Sequence, residues 1–417
     1  MKKICVLGLG YMGLPTALLL ASSGYRVVGV DINEKVVESL NNGKIHLKEP
    51  GLEELMVKAK GYFEAKREPE NADVFLIAVP TPLDHSTKTP ELKYVKIAGE
   101  MIASFLKPEN LVIVESTVPP GTSERIVIPI LEKSGLKAGE FYYVYCPERA
   151  IPGRTIYEMV HNDRIMGALD KTSANMAKEI YSSFVRGNIY LTDIRTAEFV
   201  KLIENIYRDV NIALANEFAQ IAEELGINVW EAIELANKHP RVNILKPGPG
   251  VGGHCIPLDS YFLAAVFPNP RLLLTAREIN ELMPNYTLKK VKELVKDIKE
   301  PTITVLGVAY KGNVDDARES PALKFIRLAE NEGFKVKVFD PYVKSFEYPL
   351  LSLEEAVKDS DCIVVITDHD LFKNLEPEKI GKLMRNRNVF DGRNILKHEE
   401  WQKAGFKVKV LGYGSKL

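Results

Sequence analysis

Two separate stretches of the chain alternate short apolar runs with helical patterns, and this alternation restricts the possible folds severely. In the first stretch, the runs rich in β-forming residues are Ile4–Leu7, Val27–Val30, Val74–Val79, Leu111–Val114 and Tyr142–Tyr145. The pattern restarts after a charged helical segment around Leu288–Lys299, with runs at Ile303–Leu306, Val336–Phe339, Cys362–Ile366, Val389–Phe390 and Val408–Leu411. Short strands that alternate with helices are typical of parallel sheets covered by helices. The sequence therefore predicts two α/β units.

A long helical region separates these two stretches. From Thr196 to Leu225, apolar residues recur at helical spacing, at Phe199, Leu202, Ile203, Ile206, Val210, Leu214 and Phe218. A helix of that length would measure about 45 Å, which suits a connecting spine. At roughly 150 residues per domain, 417 residues give two to three domains. We expect Rossmann-like parallel-sheet domains at residues 1–195 and 299–417, joined by an all-helical domain at residues 196–298.

The overall charge excludes some partners. The chain has 55 Lys and Arg against 56 Asp and Glu, a net charge of -1, so no global positive field favours nucleic acid or an anionic membrane. The apolar stretch from Ile4 to Leu20 imitates a secretory signal, but glycines interrupt it, and no other run approaches the roughly 18 residues that span a bilayer. Four cysteines without a CxxC pair indicate a reducing compartment and no zinc site. We expect a cytoplasmic protein without a metal.

A glycine motif marks a candidate nucleotide site in the first stretch. Gly8, Gly10 and Gly13 form GxGxxG between a predicted strand and a predicted helix, where glycines allow a tight turn and close approach of a pyrophosphate. Asp31, at the end of the next strand, could accept hydrogen bonds from an adenosine ribose, and it would repel a 2′-phosphate. The pattern favours NAD over NADP. The alternative is a turn made only for packing, with Asp31 as a helix cap.

The second stretch repeats part of this pattern. Lys3–Gly8 and Thr302–Gly307 are similar, and each precedes a helix and a strand that ends in aspartate, Asp31 or Asp340. Two nucleotide-shaped ligands would produce such a repeat, and so would two unrelated parallel sheets. Two further strand ends, Ala78–Pro82 and Glu115–Thr122, carry polar residues and prolines, which suit a ligand site and simple turns equally well.

One cysteine differs from the other three. Cys5 and Cys362 lie in apolar runs and Cys146 ends one, where a thiol usually acts as a small buried hydrophobe. Cys255 lies in a glycine-rich loop, Pro249–Asp259, whose glycines could bring the backbone close to a substrate and supply amide donors. Cys255 is therefore a candidate nucleophile with Asp259 as a proton partner. We interpret the adjacent His254 as mainly structural.

Two polar residues on the predicted spine helix could act together. Lys201 and Asn205 are four residues apart, so both side chains lie on one helix face. An ammonium and an amide could stabilise an alkoxide or a tetrahedral oxyanion. A solvated helix face is the alternative.

These motifs together resemble the UDP-glucose/GDP-mannose dehydrogenase superfamily, whose members oxidise a nucleotide sugar twice at C6. The resemblance covers nearly the whole chain, through GLGYMG, AVPTP, ESTVPPGT, CPER, FVKLIEN, GPGVGGHCIPLD and AYKGNVDDARESPA. Within the superfamily, CPERAIPG (146–153) and HPRVNIL (239–245) are most similar to the UDP-N-acetyl-D-mannosamine dehydrogenases. The resemblance implies an NAD domain, a helical middle that pairs two subunits, and a C-terminal domain for the UDP moiety. It implies a homodimer, with a dimer of dimers as the larger alternative.

The resemblance also implies roles for individual residues. Cys255 would capture a C6 aldehyde as a thiohemiacetal, and a second oxidation would give a thioester that water cleaves. Lys201 and Asn205 would stabilise oxyanions, Asp259 and Thr117 would assist through water, and Glu148 would orient the hydrolytic water. The implied NAD contacts, besides the motif glycines, are Tyr11, Met12, Asp31, Lys35, Thr81, Thr117 and Arg318. The implied UDP-sugar contacts are Arg149, Ala150, Lys201, Asn205, Arg208, His239, Arg241, Gly252 and Lys311, with His239 and Arg241 supplied across the dimer.

The chain departs from the family pattern at two positions. UDP-glucose enzymes have a second acidic residue where this chain has Pro152, which argues against UDP-glucose. Ser260 replaces the usual proline after Asp259; because serine can cap a helix, we expect little effect on the chemistry. The alternatives are UDP-N-acetylglucosamine or UDP-glucose as the sugar, a single-step hydroxyacid dehydrogenase, and a non-catalytic nucleotide-sugar sensor.

Overall fold

The computed structural model describes residues 2–414, which form two compact units. The first unit comprises the described residues up to Glu204 together with Tyr261–Pro268, and the second comprises Asn205–Ser260 and the described residues from Asn269 onward. Both units have the predicted α/β character. The predicted division into three domains at residues 195 and 298 stays a prediction.

The first unit contains ten strands. They are β1 (Lys3–Leu7), β2 (Arg26–Val30), β3 (Phe63–Lys66), β4 (Val74–Ile77), β5 (Leu83–Asp84), β6 (Thr89–Pro90), β7 (Leu111–Val114), β8 (Tyr142–Tyr145), β9 (Arg164–Ala168) and β10 (Ile189–Thr192). Strands β5 and β6 form a separate antiparallel hairpin, and the others form one sheet in the order β10-β9-β8-β7-β4-β1-β2-β3. Six neighbouring strands, from β3 to β8 in this sheet, are parallel, whereas β9 is antiparallel to β8. Counted along the chain without the hairpin, the parallel strands have the order 3-2-1-4-5-6, which confirms the predicted Rossmann-like domain.

Helices cover both faces of this sheet. They are α1 (Gly13–Ser22), α2 (Glu34–Asn41), α3 (Leu52–Lys58), α4 (Lys93–Ala103), α5 (Ile128–Leu131), α6 (Thr155–His161) and α7 (Lys171–Tyr181). A π-helical turn at Ser123–Val127 leads into α5, and a 3₁₀ turn at Glu132–Ser134 follows it. Along β1, Ile4 and Val6 belong to one buried cluster, while Cys5 and Leu7 belong to the other. A strand buried on both faces reads as a continuous apolar run, which is why β1 was predictable.

The spine helix is present. It is α8 (Ile194–Leu225), with 32 residues. Its residues up to Glu204 belong to the first unit and those from Asn205 to the second. Three further helices lie between α8 and the second sheet: α9 (Val229–Ala236), α10 (Ile256–Ala264) and α11 (Arg271–Val295). Among the described residues, no helix combines the length and the apolar character that a bilayer crossing requires.

The second unit contains a five-stranded parallel sheet. Its strands are β11 (Thr302–Leu306), β12 (Lys335–Phe339), β13 (Cys362–Val365), β14 (Asn388–Asp391) and β15 (Lys407–Val410). Its further helices are α12 (Pro321–Asn331), α13 (Leu353–Val357), α14 (Pro377–Leu383) and α15 (His398–Lys403), with a 3₁₀ turn at Asp370–Asn374. The strand order is β12-β11-β13-β14-β15, or 2-1-3-4-5 along the chain, the other common order of doubly wound sheets. The second predicted Rossmann-like sheet is therefore also confirmed.

Candidate active site

The glycine turn of the first unit has the geometry of a dinucleotide site. Gly8 has a φ of +95°, and a Cβ there would lie 2.5 Å from the carbonyl oxygen of Ala78. A Cβ on Gly13 would lie 1.9 Å from the carbonyl oxygen of Gly8, so both glycines are required by packing. A Cβ on Gly10 would meet no atom within 4 Å. The protein's own packing does not explain Gly10, whereas a pyrophosphate that approaches the backbone would.

Asp31 completes this turn. Its Oδ2 accepts a hydrogen bond from the amide of Leu9 at 3.1 Å, and its Oδ1 accepts one from the amide of Asn33 at 2.9 Å. A carboxylate offers about four acceptor positions, so the half-exposed side chain can also accept hydrogen bonds from a ribose. The cap of α2 (Glu34–Asn41) is Asn33, which accepts from the amide of Lys35, and not Asp31. The residues present therefore fit NAD.

The two loops at the ends of β4 and β7 are joined by side chains. The hydroxyl of Thr81 donates to the carbonyl oxygen of Thr117 at 2.8 Å, and the hydroxyl of Ser116 donates to the carbonyl oxygen of Val79 at 2.7 Å. Both loops lie at the carboxyl edge of the sheet, where open α/β sheets bind ligands. The structure thus brings two candidate residues, Thr81 and Thr117, together.

A buried carboxylate fixes the loop that follows Thr117. Glu198, on α8, accepts hydrogen bonds from the amides of Gly121 and Ser123. Burial raises the pKa of Glu198, while these amide donors oppose the shift. Sequence reasoning missed Glu198, although a carboxylate three residues before Lys201 on the same predicted helix was visible.

Lys201 does not lie on a solvated face. Lys201 is 8% exposed and Asn205 is 3% exposed, so the alternative of a solvated helix face is wrong. The ammonium of Lys201 donates to the carbonyl oxygen of Glu148 at 2.7 Å. The Glu148 carboxylate accepts from the amides of Arg149 and Ala150 at 2.6 and 2.9 Å. Candidate residues from α8 and from the loop after β8 therefore meet in the first unit.

The guanidinium of Arg149 is already engaged. It donates to the Glu204 carboxylate and to the carbonyl oxygen of Asp163. Arg149 and Ala150 are half-buried. Any ligand of this arginine would have to share it with Glu204.

The second unit presents Cys255 at the start of a helix. The carbonyl oxygen of Cys255 accepts from the amides of Leu258 and Asp259 at 3.1 and 3.0 Å, so the cysteine directly precedes α10. A helix N-terminus favours nearby negative charge, which suits a thiolate. Cys255 is exposed, whereas Cys5, Cys146 and Cys362 are buried.

The three buried thiols are unsuited to nucleophilic attack. Burial raises the pKa of Cys5 to about 12 and that of Cys146 to about 11, and it also raises the pKa of Cys362. The predicted division into three packing cysteines and one accessible cysteine agrees with these positions.

The glycines before Cys255 serve packing. A Cβ on Gly252 would lie 2.5 Å from the carbonyl oxygen of Glu319, and a Cβ on Gly250 would lie 2.6 Å from Pro321. The amide of Gly253 donates to the carbonyl oxygen of Arg318 at 3.2 Å. These glycines let the loop approach residues 310–321, whereas we had expected them to leave room and amide donors for a substrate.

Asn205 and Asp259 meet in the second unit. The Asn205 amide donates to Asp259 Oδ2 at 2.6 Å, and its oxygen accepts from the guanidinium of Arg208. Asp259 is buried. A hydrogen-bonded group of three polar side chains thus links α8 to α10: Asn205, Arg208 and Asp259.

Ser260 does not cap a helix, contrary to our expectation. It is the fifth residue of α10, because that helix already begins at Ile256. Its hydroxyl lies 3.4 Å from Oδ2 of the buried Asp209. Asp209 also accepts from Arg277 at 2.6 Å and from the Asn280 amide at 2.8 Å. Sequence reasoning missed this network.

The other candidates lie in loops or on the surface. His239, Arg241 and Lys311 are exposed in the second unit, as is Lys35 in the first. Arg318, also in the second unit, binds Asp316 through Nε at 2.8 Å and Nη2 at 2.6 Å. Exposed cations suit the recognition of phosphates, which the nearly neutral chain must achieve locally.

The chain matches the domains of one enzyme family along its length. Sequence models of the UDP-glucose/GDP-mannose dehydrogenase family match its NAD binding domain at residues 2–185, its central domain at 195–282 and its UDP binding domain at 304–398. A relative from Methanococcus maripaludis, a UDP-N-acetyl-D-mannosamine dehydrogenase, is 52% identical over 99% of this chain and 98% of its own. The chain belongs to the UDP-glucose/GDP-mannose dehydrogenase family. It is therefore an oxidoreductase, and the alternative of a non-catalytic sensor is wrong.

Solved structures of the family have the same fold. A UDP-D-ManNAc dehydrogenase from Pyrococcus horikoshii superimposes with a TM-score of 0.93 at 45% identity, covering 99% of this chain and 100% of the other. The UDP-N-acetyl-mannosamine dehydrogenase Cap5O from Staphylococcus aureus gives a TM-score of 0.90 at 42% identity, over 99% and 98% of the two chains. The family resemblance inferred from the motifs is thus confirmed.

Proposed function

We propose that the chain oxidises UDP-N-acetyl-D-mannosamine at C6 to UDP-N-acetyl-D-mannosaminuronate, using two NAD and one water. The observation that carries the chemistry is the position of Cys255, an accessible thiol directly before α10. The sugar is supported by the relatives, which carry this activity in their names at about half identity over nearly the full length. Pro152, in place of a second acidic residue, also argues against UDP-glucose.

The residues of the first unit would hold NAD. The turn from Gly8 to Gly13 would accept the pyrophosphate, and Asp31 would bind the ribose and exclude a 2′-phosphate. The remaining proposed contacts are Tyr11, Met12, Lys35, Thr81, Thr117 and Arg318. When bound, NAD supplies the hydride acceptor for both oxidations.

Covalent capture would divide the four-electron reaction into two steps. The sulfur of Cys255 forms a bond to C6 of the aldehyde, and the carbonyl oxygen becomes the oxyanion of a thiohemiacetal. Lys201 and Asn205 stabilise that charge, and Asp259 and Thr117 move protons through water. After the second oxidation a thioester remains. Water, oriented near Glu148, adds to it, the C–S bond breaks, and the proton returns to the thiolate.

UDP-sugar recognition would use cations and backbone groups. We assign it to Arg149, Ala150, Arg208, His239, Arg241, Gly252 and Lys311, together with Lys201 and Asn205. Arginine binds phosphate oxygens through two parallel hydrogen bonds, which suits the diphosphate.

The test counts NADH per sugar. Purified protein with limiting UDP-N-acetyl-D-mannosamine is expected to release two NADH per molecule, and Cys255→Ser is expected to stall or turn over very slowly. Cys362→Ala, at a buried thiol, is the matched control and should keep the wild-type stoichiometry. One NADH per sugar, or a fully active Cys255→Ser variant, would overturn the covalent mechanism. Faster turnover of UDP-N-acetylglucosamine or UDP-glucose would retain the mechanism and change the substrate.

We further propose a homodimer that pairs through α8. This helix exposes a continuous row of large apolar side chains, each more than a third exposed: Phe199, Ile203, Tyr207, Leu214, Phe218, Ile221 and Leu225. The spacing of three, four or seven residues puts them on one face, and exposed apolar patches of this extent mark interfaces. Light scattering should give twice the chain mass, and Phe218→Glu should halve it. A monomeric wild type would contradict the pairing.

We propose a cytoplasmic location for the reaction. The four cysteines of the sequence include no CxxC pair, which suits a reducing compartment. Fractionation of the native cells, with the NADH-forming activity as the marker, tests the location.

A further inference from the structure

A fully buried guanidinium lies beside the Glu148 loop. Arg164, the first residue of β9, is 4% exposed, and its Nη2 donates to Glu148 Oε2 at 2.6 Å. Its Nη1 lies 3.7 Å from Glu115 Oε1, beyond hydrogen-bonding range. The guanidinium carbon is also 4.5 Å from the centre of the Tyr181 ring. One cation thus lies between two carboxylates, and Glu148 has the closer contact.

Glu115 connects this arginine to two helices. It follows β7, and its Oε2 accepts from the hydroxyl of Thr16 on α1 at 3.1 Å. Its Oε1 accepts from the hydroxyl of Tyr181, the last residue of α7, at 2.6 Å. Burial raises the pKa of Glu115 to about 7, with Glu148 adding to the shift and Arg164 opposing it. The groups that face Glu115 are therefore Thr16, Tyr181, Arg164, Glu148 and the Cys146 thiol, which Arg164 also contacts.

Glu148 connects Arg164 to Lys201, because it binds the arginine through its side chain and the lysine through its backbone carbonyl oxygen. The second carboxylate oxygen of Glu148 accepts from the amides of Arg149 and Ala150, so the side chain closes a turn of its own backbone. The carbonyl oxygen of Glu148 holds the Lys201 ammonium at 2.7 Å. Three donors fix the carboxylate, and the carboxylate fixes the carbonyl group.

We propose that Arg164 is a positioning residue that holds Glu148, and through its carbonyl oxygen the Lys201 ammonium, in place for oxyanion stabilisation, and that ionised Glu115 competes with Glu148 for this arginine. The inference rests on the proposed function, because it assigns the ammonium to the oxyanion. Stabilising groups act only when they are held where charge develops, and a displacement of about 1 Å can cost about 100-fold in rate. A lysine at position 164 would keep the charge and lose the planar guanidinium that lies between the two carboxylates.

Arg164→Lys tests the positioning role. The kcat for the UDP-sugar is expected to fall about 10- to 100-fold, and this fall should exceed any rise in KM, because the oxyanion charge develops only in the transition state. A crystal structure of Arg164→Lys should show the Lys201–Glu148 carbonyl hydrogen bond lengthened beyond about 3.5 Å. The matched control is Arg385→Lys, at the Arg385–Asp361 ion pair of the second unit, which should keep the wild-type kcat.

Glu115→Gln is a second, nearly isosteric test that also serves if Arg164→Lys does not fold. In the wild type, Glu115 ionises as the pH rises through neutrality and then competes with Glu148 for Arg164. The ratio of kcat in Glu115→Gln to kcat in the wild type should therefore rise about two- to threefold from pH 6 to pH 8. A flat ratio, or Arg164→Lys with wild-type kcat and wild-type Lys201 geometry, would overturn the proposal. If the wild type forms no NADH from any UDP-sugar, the proposed function has failed, and the crystallographic distance still tests the positioning.

Discussion

The two units contain a similar turn after the first strand of each sheet, but the aspartate beside that turn is half-exposed in the first unit and buried in the second. In each unit the first strand is followed by a glycine of positive φ, Gly8 or Gly307, and the second strand is followed by an aspartate, Asp31 or Asp340. Asp31 is half-exposed and accepts two amide hydrogen bonds. Asp340 is buried and accepts from the amides of Val308, Ala309, Tyr342 and Val343, and from His369.

The tautomer of His369 shows that this side chain also donates a hydrogen bond to Asp340. The Nδ1 of His369 accepts from the amide of Asn313 at 2.9 Å, so Nε2 carries the hydrogen that is donated to Asp340 at 3.0 Å. In the first unit α1 begins at Gly13, directly after the turn, whereas in the second α12 begins only at Pro321. The intervening segment carries Lys311 and Arg318. The repeated sequence therefore encodes a repeated fold, but of the two aspartates only Asp31 is exposed enough to bind a ribose.

The largest expected difference concerns the stability of the two aspartate variants. Asp340→Asn places an amide NH₂ against donors from Val308, Ala309 and His369, and should lower the free energy of unfolding by about 3–5 kcal/mol. Asp31→Asn should lower it by less than about 1 kcal/mol, because the side chain is half-exposed. Chemical denaturation measures both. Equal losses would contradict the division into an open and a filled turn.

The buried carboxyl groups of Glu115 and Asp340 should make contributions of opposite sign to the pH dependence of stability. Glu115 has its folded pKa raised to about 7, so the folded state retains a proton that the unfolded state loses above about 4.5, and stability falls by about 3 kcal/mol as the pH rises from 4.5 to 7. His369 and amide donors lower the pKa of Asp340 to about 2, so its contribution of about 2 kcal/mol is present above pH 4 and is lost as the pH falls toward 2. Denaturation of wild type, Glu115→Gln and Asp340→Asn across this range separates the contributions. A wild type and Glu115→Gln with the same slope between pH 5 and 7 would be inconsistent with the raised pKa.

The glycines should respond differently to alanine. A Cβ on Gly307 would lie 2.4 Å from Thr367 Cβ, and the φ is +88°, so Gly307→Ala should destabilise by about 2 kcal/mol or more. Gly10→Ala has open space and should leave the midpoint of thermal unfolding almost unchanged, while it weakens NAD binding. Calorimetry and NAD titration of both variants test the contrast. A destabilised Gly10→Ala protein would mean that this glycine serves packing after all.

The smallest expected effect is on NAD affinity. Asp31→Asn should weaken NAD binding by about tenfold, roughly the 1.4 kcal/mol of one charge-assisted hydrogen bond. Binding of NADP should weaken less or improve, because the repulsion of a 2′-phosphate is removed. Titration by fluorescence or calorimetry measures both. Unchanged affinity for both cofactors would remove Asp31 from the cofactor site.

In the first sheet the central strands were predictable, whereas the strands at and next to its edges were not. The five runs predicted there correspond to β1, β2, β4, β7 and β8, which are largely buried and continuously apolar. All five strands of the second sheet, β11–β15, were predicted, including its edge strands β12 and β15. Strand β3 has the sequence FEAK and lies at one edge, and β10 lies at the other, with Tyr190 and Leu191 exposed. Strand β9, next to that edge, begins with Arg164. The residues around Glu115 were therefore missed, because an unrecognised strand supplies their cation.

Burial on the spine helix could not be predicted from its periodicity. The apolar positions of α8 include exposed residues such as Phe199 and Phe218, while Glu198, Lys201, Asn205 and Asp209 are buried. A pattern identifies the two faces of a helix and does not say which face meets the rest of the chain. The family resemblance assigned Asn205 to oxyanion stabilisation beside Lys201 and Asp259 to proton transfer through water, and it did not predict the hydrogen bond between Asn205 and Asp259.

The exposure of Cys255 also gives the protein a built-in chemical label. Three thiols are buried with raised pKa values, and the fourth is accessible. A mild alkylating reagent at neutral pH should consequently modify one cysteine per chain quickly and the others only on unfolding. The same reagent then counts functional molecules in any preparation, and protection by a bound nucleotide sugar reports occupancy without any turnover.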